Sequence, residues 1–180
     1  MRQVLTSLTL FFFLLFPLAS SSGDEPPKAE ELKVSSPVFD HKGNLPRKYA
    51  CDGSNVSPPL KIEKIPPQAK SLALVFDDID APKGSYVHWI LWNISPSVKE
   101  IKENSVPDGA VEGTNGFKKR SYGGPCPPSR AHRYVFKVYA LDLVLQLDPS
   151  STKEQLEKAM KGHILSRGEL MGNYKKEKKK

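Results

Sequence analysis

Two imidazoles, a phenol and a pair of aspartates stand at the ends of short apolar runs. Asp78 and Asp80 follow residues 71–77 (SLALVFD), His88 lies inside 86–94 (YVHWILWNI), and His132 and Tyr134 open 132–143 (HRYVFKVYALDL). Between His88 and His132 runs Tyr122-Gly123-Gly124-Pro125-Cys126-Pro127-Pro128. Glycine lets backbone come close to a ligand, and proline holds such a loop in one shape. An imidazole donates a hydrogen bond when neutral and carries charge when protonated near its ordinary pKa of ~6.5. A carboxylate beside it orients the ring and raises that pKa. With exposed backbone amides, these groups make a cradle for a phosphate or similar oxyanion. The same residues also serve as satisfied polar groups at strand ends, and composition and spacing weigh the two readings equally.

The elements that must position them read mostly as strands. The 71–77 run is short and apolar, the pattern of a strand buried on both faces. Residues 86–94 are β-branched and aromatic, and a period of two puts Tyr86, His88, Ile90 and Trp92 on one face. In the third run His132, Tyr134, Phe136 and Val138 share a face, with Arg133, Val135 and Lys137 on the other. One helix is expected: Ser151-Thr152-Lys153-Glu154 reads as a capping box, and Leu156, Ala159, Met160, His163 and Ile164 form its apolar stripe, with His163 packed rather than ligating. Residues 115–130, rich in Gly, Pro and Lys, read as a loop with defined turns. The pattern predicts a mainly β chain, an antiparallel sandwich with a late helix.

The ends of the chain set its expected compartment. Arg2, the apolar run 4–18 and the small residues 19–23 are the three parts of a secretory signal peptide, assigned to 1–22. The run is shorter than the ~20 residues of a spanning helix, which favours cleavage over anchoring. A polar linker (23–31), the folded domain (32–174) and a basic tail (175–180) follow, and a secreted or periplasmic location is expected. Cys51 and Cys126 are the chain's two cysteines. In an exported chain they favour a disulfide over two buried thiols or metal-bound thiolates, and neither has the Cys-x-x-Cys spacing of a zinc site. The formal charge is +7, from 27 Lys and Arg against 20 Asp and Glu, which favours anionic partners. The tail reads as a solvated run, with a hold on an anionic membrane as the lesser reading. No aromatic-plus-basic motif accompanies it, so no nucleic acid is expected. Asn55-Val56-Ser57 and Asn93-Ile94-Ser95 fit the glycosylation pattern, but each is followed by proline and both read as chance.

Taken together, Asp78-x-Asp80-Ala81-Pro82, Val87-His88-Trp89, the Gly-Pro-x-Pro-Pro run from Gly124 and His132-Arg133-Tyr134 resemble the phosphatidylethanolamine-binding protein family. Cys51-Asp52-Gly53-x-Asn55-x-Ser57-Pro58 is similar to its bacterial and archaeal branch, often labelled Raf-kinase-inhibitor-like. The resemblance covers about residues 32–174. It implies a Greek-key β-sandwich with a small pocket lined by Asp78, His88, His132 and Tyr134. Asp80, Ala81 and Pro82 would shape the rim, with Gly124 and Pro127 across from them and a cis Ala81–Pro82 bond. The chain departs from the family at Ile79, between the aspartates, at Cys126, and in lacking the long carboxy-terminal helix of eukaryotic members, which puts their kinase-regulating role in question. The resemblance implies a binding protein, inhibitor or scaffold, with no catalysis and no cofactor. Expected partners are a small anionic ligand or phospholipid head group and a protein target, with a homodimer as a candidate assembly. The alternative is a hydrolase using His88, His132 and Asp78 with a metal or as a His–Asp pair. Against it, the chain has no Gly-x-Ser-x-Gly elbow and no His-Glu-x-x-His helix. A third reading is inhibition of a protease or other enzyme through an exposed loop.

Overall fold

The structure, a computed structural model, describes residues 31–177. The signal-peptide segment, nearly all of the linker and the last three tail residues lie outside the described residues. Among the described residues, eight strands and one α-helix follow in order: β1 (Lys33–Ser35), β2 (Leu60–Glu63), β3 (Ser71–Asp78), β4 (Tyr86–Ile94), β5 (Glu100–Ile101), β6 (Val111–Glu112), β7 (His132–Leu141), α1 (Lys153–Met160) and β8 (Ile164–Tyr174). They form two antiparallel sheets, β1-β2-β5 and β6-β4-β3-β7-β8. The chain is therefore mainly β, as its sequence predicts.

Strand β3 is buried at all eight positions, as an unbroken apolar run requires of a strand covered on both faces. Leu72, Leu74 and Phe76 enter the core between the sheets, against Val34, Leu60, Ile62 and Ile101. Ala73 and Val75 face the other way, into a second core with Ile90, Trp92 and the helix residues Leu156 and Met160. Each fully buried Leu, Ile or Phe contributes about 1.5–3 kcal/mol. Slipping β3 by one residue would exchange its two faces, so the double cover fixes its register.

Strict alternation along β4 fails at the position that matters most. Phe76 pairs with Trp89 but Asp77 pairs with Val87, so His88 is the extra residue of a bulge. The bulge turns His88 away from the face of Ile90 and Trp92, where a period of two puts it. It brings the ring instead against Phe76 and Tyr134, at 5.6 and 5.3 Å between centroids. In β7 the alternation holds: Tyr134, Phe136 and Val138 all lie in the inter-sheet core.

Two further expectations are corrected. The helix caps one residue later than predicted: Thr152 is the N-cap, and its amide donates to Gln155 Oε1 (2.8 Å) rather than to Glu154. The helix also ends at Met160, because Gly162 adopts φ +84°, a left-handed stop that glycine takes freely. His163 is thus no helix residue; its Nδ1 pairs with Asp142 Oδ1 at 2.9 Å on the surface. Ile164 opens β8, a strand of 11 residues that the apolar pattern does not reveal.

Candidate functional site

The bulged end of β4 and the start of β7 bring the predicted imidazoles to one end of the inter-sheet core. His132 Nδ1 lies 2.8 Å from Asp78 Oδ2, with both side chains under a tenth exposed. Asp78 Oδ1 accepts the Asp80 amide at 2.9 Å. His88 Nδ1 is 2.7 Å from the Gly123 carbonyl, and a carbonyl only accepts, so this nitrogen carries the proton. Both rings pack against Tyr134, at 5.3 Å for His88 and 6.4 Å for His132. Asp78, His88, His132 and Tyr134 therefore form one buried cluster.

Its electrostatics refine the sequence reading in one respect. A neutral imidazole has one N–H, and in each ring it is already directed at a protein oxygen: Gly123 O for His88 and Asp78 for His132. The remaining nitrogen, Nε2, is an acceptor until the ring is protonated. Donation to an oxyanion therefore demands the charged ring, where the sequence reading allowed the neutral one. Burial holds the His88 pKa below the ordinary imidazole value, against the opposing pull of the Gly123 carbonyl and the Asp78 charge. The Tyr134 hydroxyl is fully buried and makes no well-formed hydrogen bond with a described residue, although Asp78 and the Cys126 backbone lie close enough to act on it. Burial, then the Asp78 charge, push its pKa well above that of an ordinary phenol, so it remains a donor.

The rim is held by its own bonds. The Arg133 guanidinium grips Asp80 through two N–H groups, Nε to Oδ2 at 2.9 Å and NH2 to Oδ1 at 2.7 Å, and the Arg133 amide adds a third contact at 2.9 Å. This fork holds the Asp80 carboxyl well below the usual carboxylate range, and it engages both oxygens of Asp80. Ala81–Gly84 is a β-turn closed by the Gly84 amide on Ala81 O (3.0 Å), with Gly84 at φ +95°. Pro82 is its second residue, a position that accepts a trans prolyl bond. The described residues contain no cis peptide bond, so the cis Ala81–Pro82 expectation is corrected.

Opposite this rim, Gly123 and Gly124 let the chain pass closely over β4 and the 47–55 segment. A Cβ on Gly124 would sit 2.4 Å from Tyr49 O, and its amide donates to Asn55 Oδ1 at 2.7 Å. Pro127 is buried. The predicted disulfide is present, Cys51 to Cys126, and the Cys51 amide bonds Pro125 O at 3.1 Å. Behind this loop is a separate cavity of about 410 Å³, lined by Asn55, Asn115, Phe117, Lys119 and the disulfide, without the imidazoles. The two Asn-x-Ser sites have structural work for their amides: Asn55 caps Gly124, and Asn93 exchanges two bonds with Leu145 (2.9 and 2.8 Å).

A second polar cluster escapes the sequence reading. Asp77 points to the opposite face of β3, where its Oδ2 meets Lys153 Nζ at 2.6 Å and Lys137 Nζ at 3.2 Å. Alternation from Asp78 could have placed Asp77 there, and Lys153 at the helix start is the partner that only the fold supplies. Among the described residues, no group of three His, Cys, Asp or Glu side chains is arranged to hold a metal ion.

The sequence model of the phosphatidylethanolamine-binding protein family matches residues 35–175. The chain belongs to this family. Among its relatives in the family, a UPF0098 protein of Pyrococcus abyssi is 46% identical over 183 residues, covering 97% of this chain and 99% of the relative. One from Methanothermobacter thermautotrophicus is 44% identical over 150 residues, covering 81% and 99%. In three dimensions the chain is similar to a phosphatidylethanolamine-binding protein homologue of Chlamydia trachomatis (TM-score 0.79, 42% identity, 82% of this chain and 99% of that one). It is also similar to E. coli YbcL, described as a new member of the mammalian PEBP family (TM-score 0.77, 28% identity, 82% and 100%). Family membership makes this a binding protein of the phosphatidylethanolamine-binding type.

Proposed function

We propose that Asp78, His88, His132 and Tyr134 receive a small oxyanion, a phosphate or the phosphoryl group of a phospholipid head, without catalysis. Asp80, Ala81, Pro82, Gly124 and Pro127 frame the opening. The Tyr134 hydroxyl carries this reading. A buried donor without a well-formed hydrogen bond costs up to about 1–3 kcal/mol, and an oxyanion beside it would remove that cost. The two imidazoles add charge on protonation, and Asp78 holds one of them in place. The cluster is nearly closed, His88 and His132 each being 3% exposed, which suits a small group better than an acyl chain. The disulfide supports action outside the cytoplasm, where such bonds persist, as a carrier, inhibitor or scaffold.

Titration calorimetry with phosphate, phosphoethanolamine and a short-chain phospholipid tests the site. Tyr134→Phe removes only the hydroxyl, and the loss expected is about tenfold or more in affinity. Unchanged affinity in Tyr134→Phe and in His88→Ala would overturn the assignment. Stoichiometric zinc or iron in protein purified without chelator would favour the hydrolase alternative.

A further inference from the structure

Six large apolar side chains stand exposed among the described residues: Val38, Tyr86, Val106, Phe117, Val144 and Ile164. The two aromatic ones touch each other. Tyr86 and Phe117 are 37% and 42% exposed, with ring centroids 5.0 Å apart at 73°. Phe117 also begins the run Phe117-Lys118-Lys119-Arg120, exposed throughout. None of these three cations forms an ion pair with a described residue.

The loop that displays them is built, not slack. Asn115 is 5% exposed, and its Oδ1 accepts the amides of Phe117 (2.9 Å) and Lys119 (3.0 Å). Its Nδ2 donates to Ser121 O at 2.8 Å, and the Asn115 amide donates to Lys119 O at 2.9 Å. Gly116 lies so close under Tyr86 that a Cβ there would meet the ring at 2.7 Å. One buried amide side chain thus fixes a turn that sets Phe117 against Tyr86 of β4 and carries three exposed cations, of which Arg120 lies near enough to Asp148 to help lower its carboxyl pKa.

We propose that this loop docks the protein on an anionic phospholipid surface. Aromatic rings with a polar or partly exposed edge settle at the head-group level of a bilayer, and lysine or arginine beside them is drawn to anionic heads. Three cations alone would equally suit an acidic protein. The adjoining exposed ring pair selects the bilayer, because rings lose water on entering the interfacial layer and gain little on a purely acidic surface. The chain's +7 charge acts in the same direction. The proposal stands on the 115–121 loop and Tyr86; both rings also pack edge-on against His88, at 5.6 and 5.3 Å, but docking does not need the oxyanion site to be occupied.

The test is co-sedimentation with vesicles of phosphatidylglycerol and phosphatidylcholine, against phosphatidylcholine alone. It uses the chain from Glu31 onward, since the apolar residues 4–18 would partition by themselves. The chlamydial relative, a chain matched over 99% of its own length by 82% of this one, has no counterpart of the remainder, and thermal unfolding checks that the shortened chain folds. The wild type should pellet with the anionic vesicles, less so as salt is raised. Each basic residue near such a surface is worth about fivefold in partition, so Lys118→Glu with Arg120→Glu should weaken it by roughly 25-fold or more. Phe117→Ser should weaken it several-fold with the charges intact. Both variants lie on the surface, and equal thermal unfolding shows that they fold. Binding equal to wild type in both variants, equal binding to neutral vesicles, or binding to an acidic protein but not to vesicles would overturn the proposal. Phosphate calorimetry on the same proteins separates it from the oxyanion reading: vesicle binding without phosphate affinity sinks that reading and leaves this one.

Discussion

Asp77 and Asp78 are consecutive residues of one strand, point to opposite faces, and are treated in opposite ways. Asp77 is wholly buried, and two lysines converge on its Oδ2, Lys153 at 2.6 Å from the helix and Lys137 at 3.2 Å from β7. Asp78 is nearly as buried but meets an imidazole and a backbone amide, with the Tyr134 hydroxyl beside it. Lysine is ordinarily a fixed charge near neutral pH, whereas imidazole gains and loses its charge there. The first arrangement fastens α1 to the sheet through Oδ2, while its buried Oδ1 makes no hydrogen bond to a described residue. The second sets a carboxyl, an imidazole and a phenol without a well-formed hydrogen bond side by side.

Breaking the cover on the Asp78 side should have the largest effect. Cys51→Ser with Cys126→Ser opens a loop of 75 residues, and the chain-entropy cost is about 4 kcal/mol of stability. It also frees the Gly123–Cys126 segment whose carbonyl holds His88. Urea unfolding should show the loss, and phosphate affinity should fall with it. Next comes a pair that contrasts the two carboxylates. Asp77→Ala leaves two lysines facing a buried gap and should cost about 3 kcal/mol, with phosphate affinity altered far less than by Asp78→Asn, since Asp77 reaches His88 only through its charge. Asp78→Asn should cost only about 1–2 kcal/mol, because an amide still accepts one bond, while weakening phosphate several-fold. Equal effects of the two on phosphate would erase the distinction drawn between them.

Much of this arrangement is legible in the sequence, and the gaps have physical causes. The apolar runs of β3 and β7, the helix and the order of polar residues at the strand ends follow from local pattern. So does the cysteine pairing, once export is inferred. The bulge at His88 does not, because it arises where β4 is registered against β3, and no single-strand period encodes a partner's register. Yet the bulge is what carries His88 to the side of Tyr134. Strand β8 is masked by Gly168 and Gly172, where a side chain would strike Leu32 and Leu45. Glycine there serves the packing of the 32–45 segment and interrupts the alternation that would announce a strand. The tautomers are equally silent in sequence: Gly123 gives His88 its acceptor through backbone, which any residue possesses.

The smallest effect is the one that best isolates His88. Burial lowers its pKa in the folded protein, while the unfolded chain keeps the ordinary value of ~6.5. Between the two values the unfolded state binds the extra proton and the folded state does not, so stability rises with pH through this window. The contribution is complete above about pH 6.5 and is lost as pH falls through the lowered folded value. Urea midpoints taken from about pH 8 down to about pH 5.5 should therefore decline, and His88→Gln should flatten part of that decline. An oxyanion that binds the protonated ring reverses the preference, since it returns to the folded state the proton that burial withheld. Phosphate should then protect most at the acid end, and its affinity should strengthen as pH falls until the ligand itself takes up protons. Asp77→Ala sharpens the contrast, because the Asp77 charge is one of the pulls that raise the His88 pKa against burial: its midpoints should be lower throughout and decline at least as steeply as the wild type's toward acid. A wild-type slope in His88→Gln, with phosphate protection equal at both ends, would show that the buried ring plays no part in holding the anion.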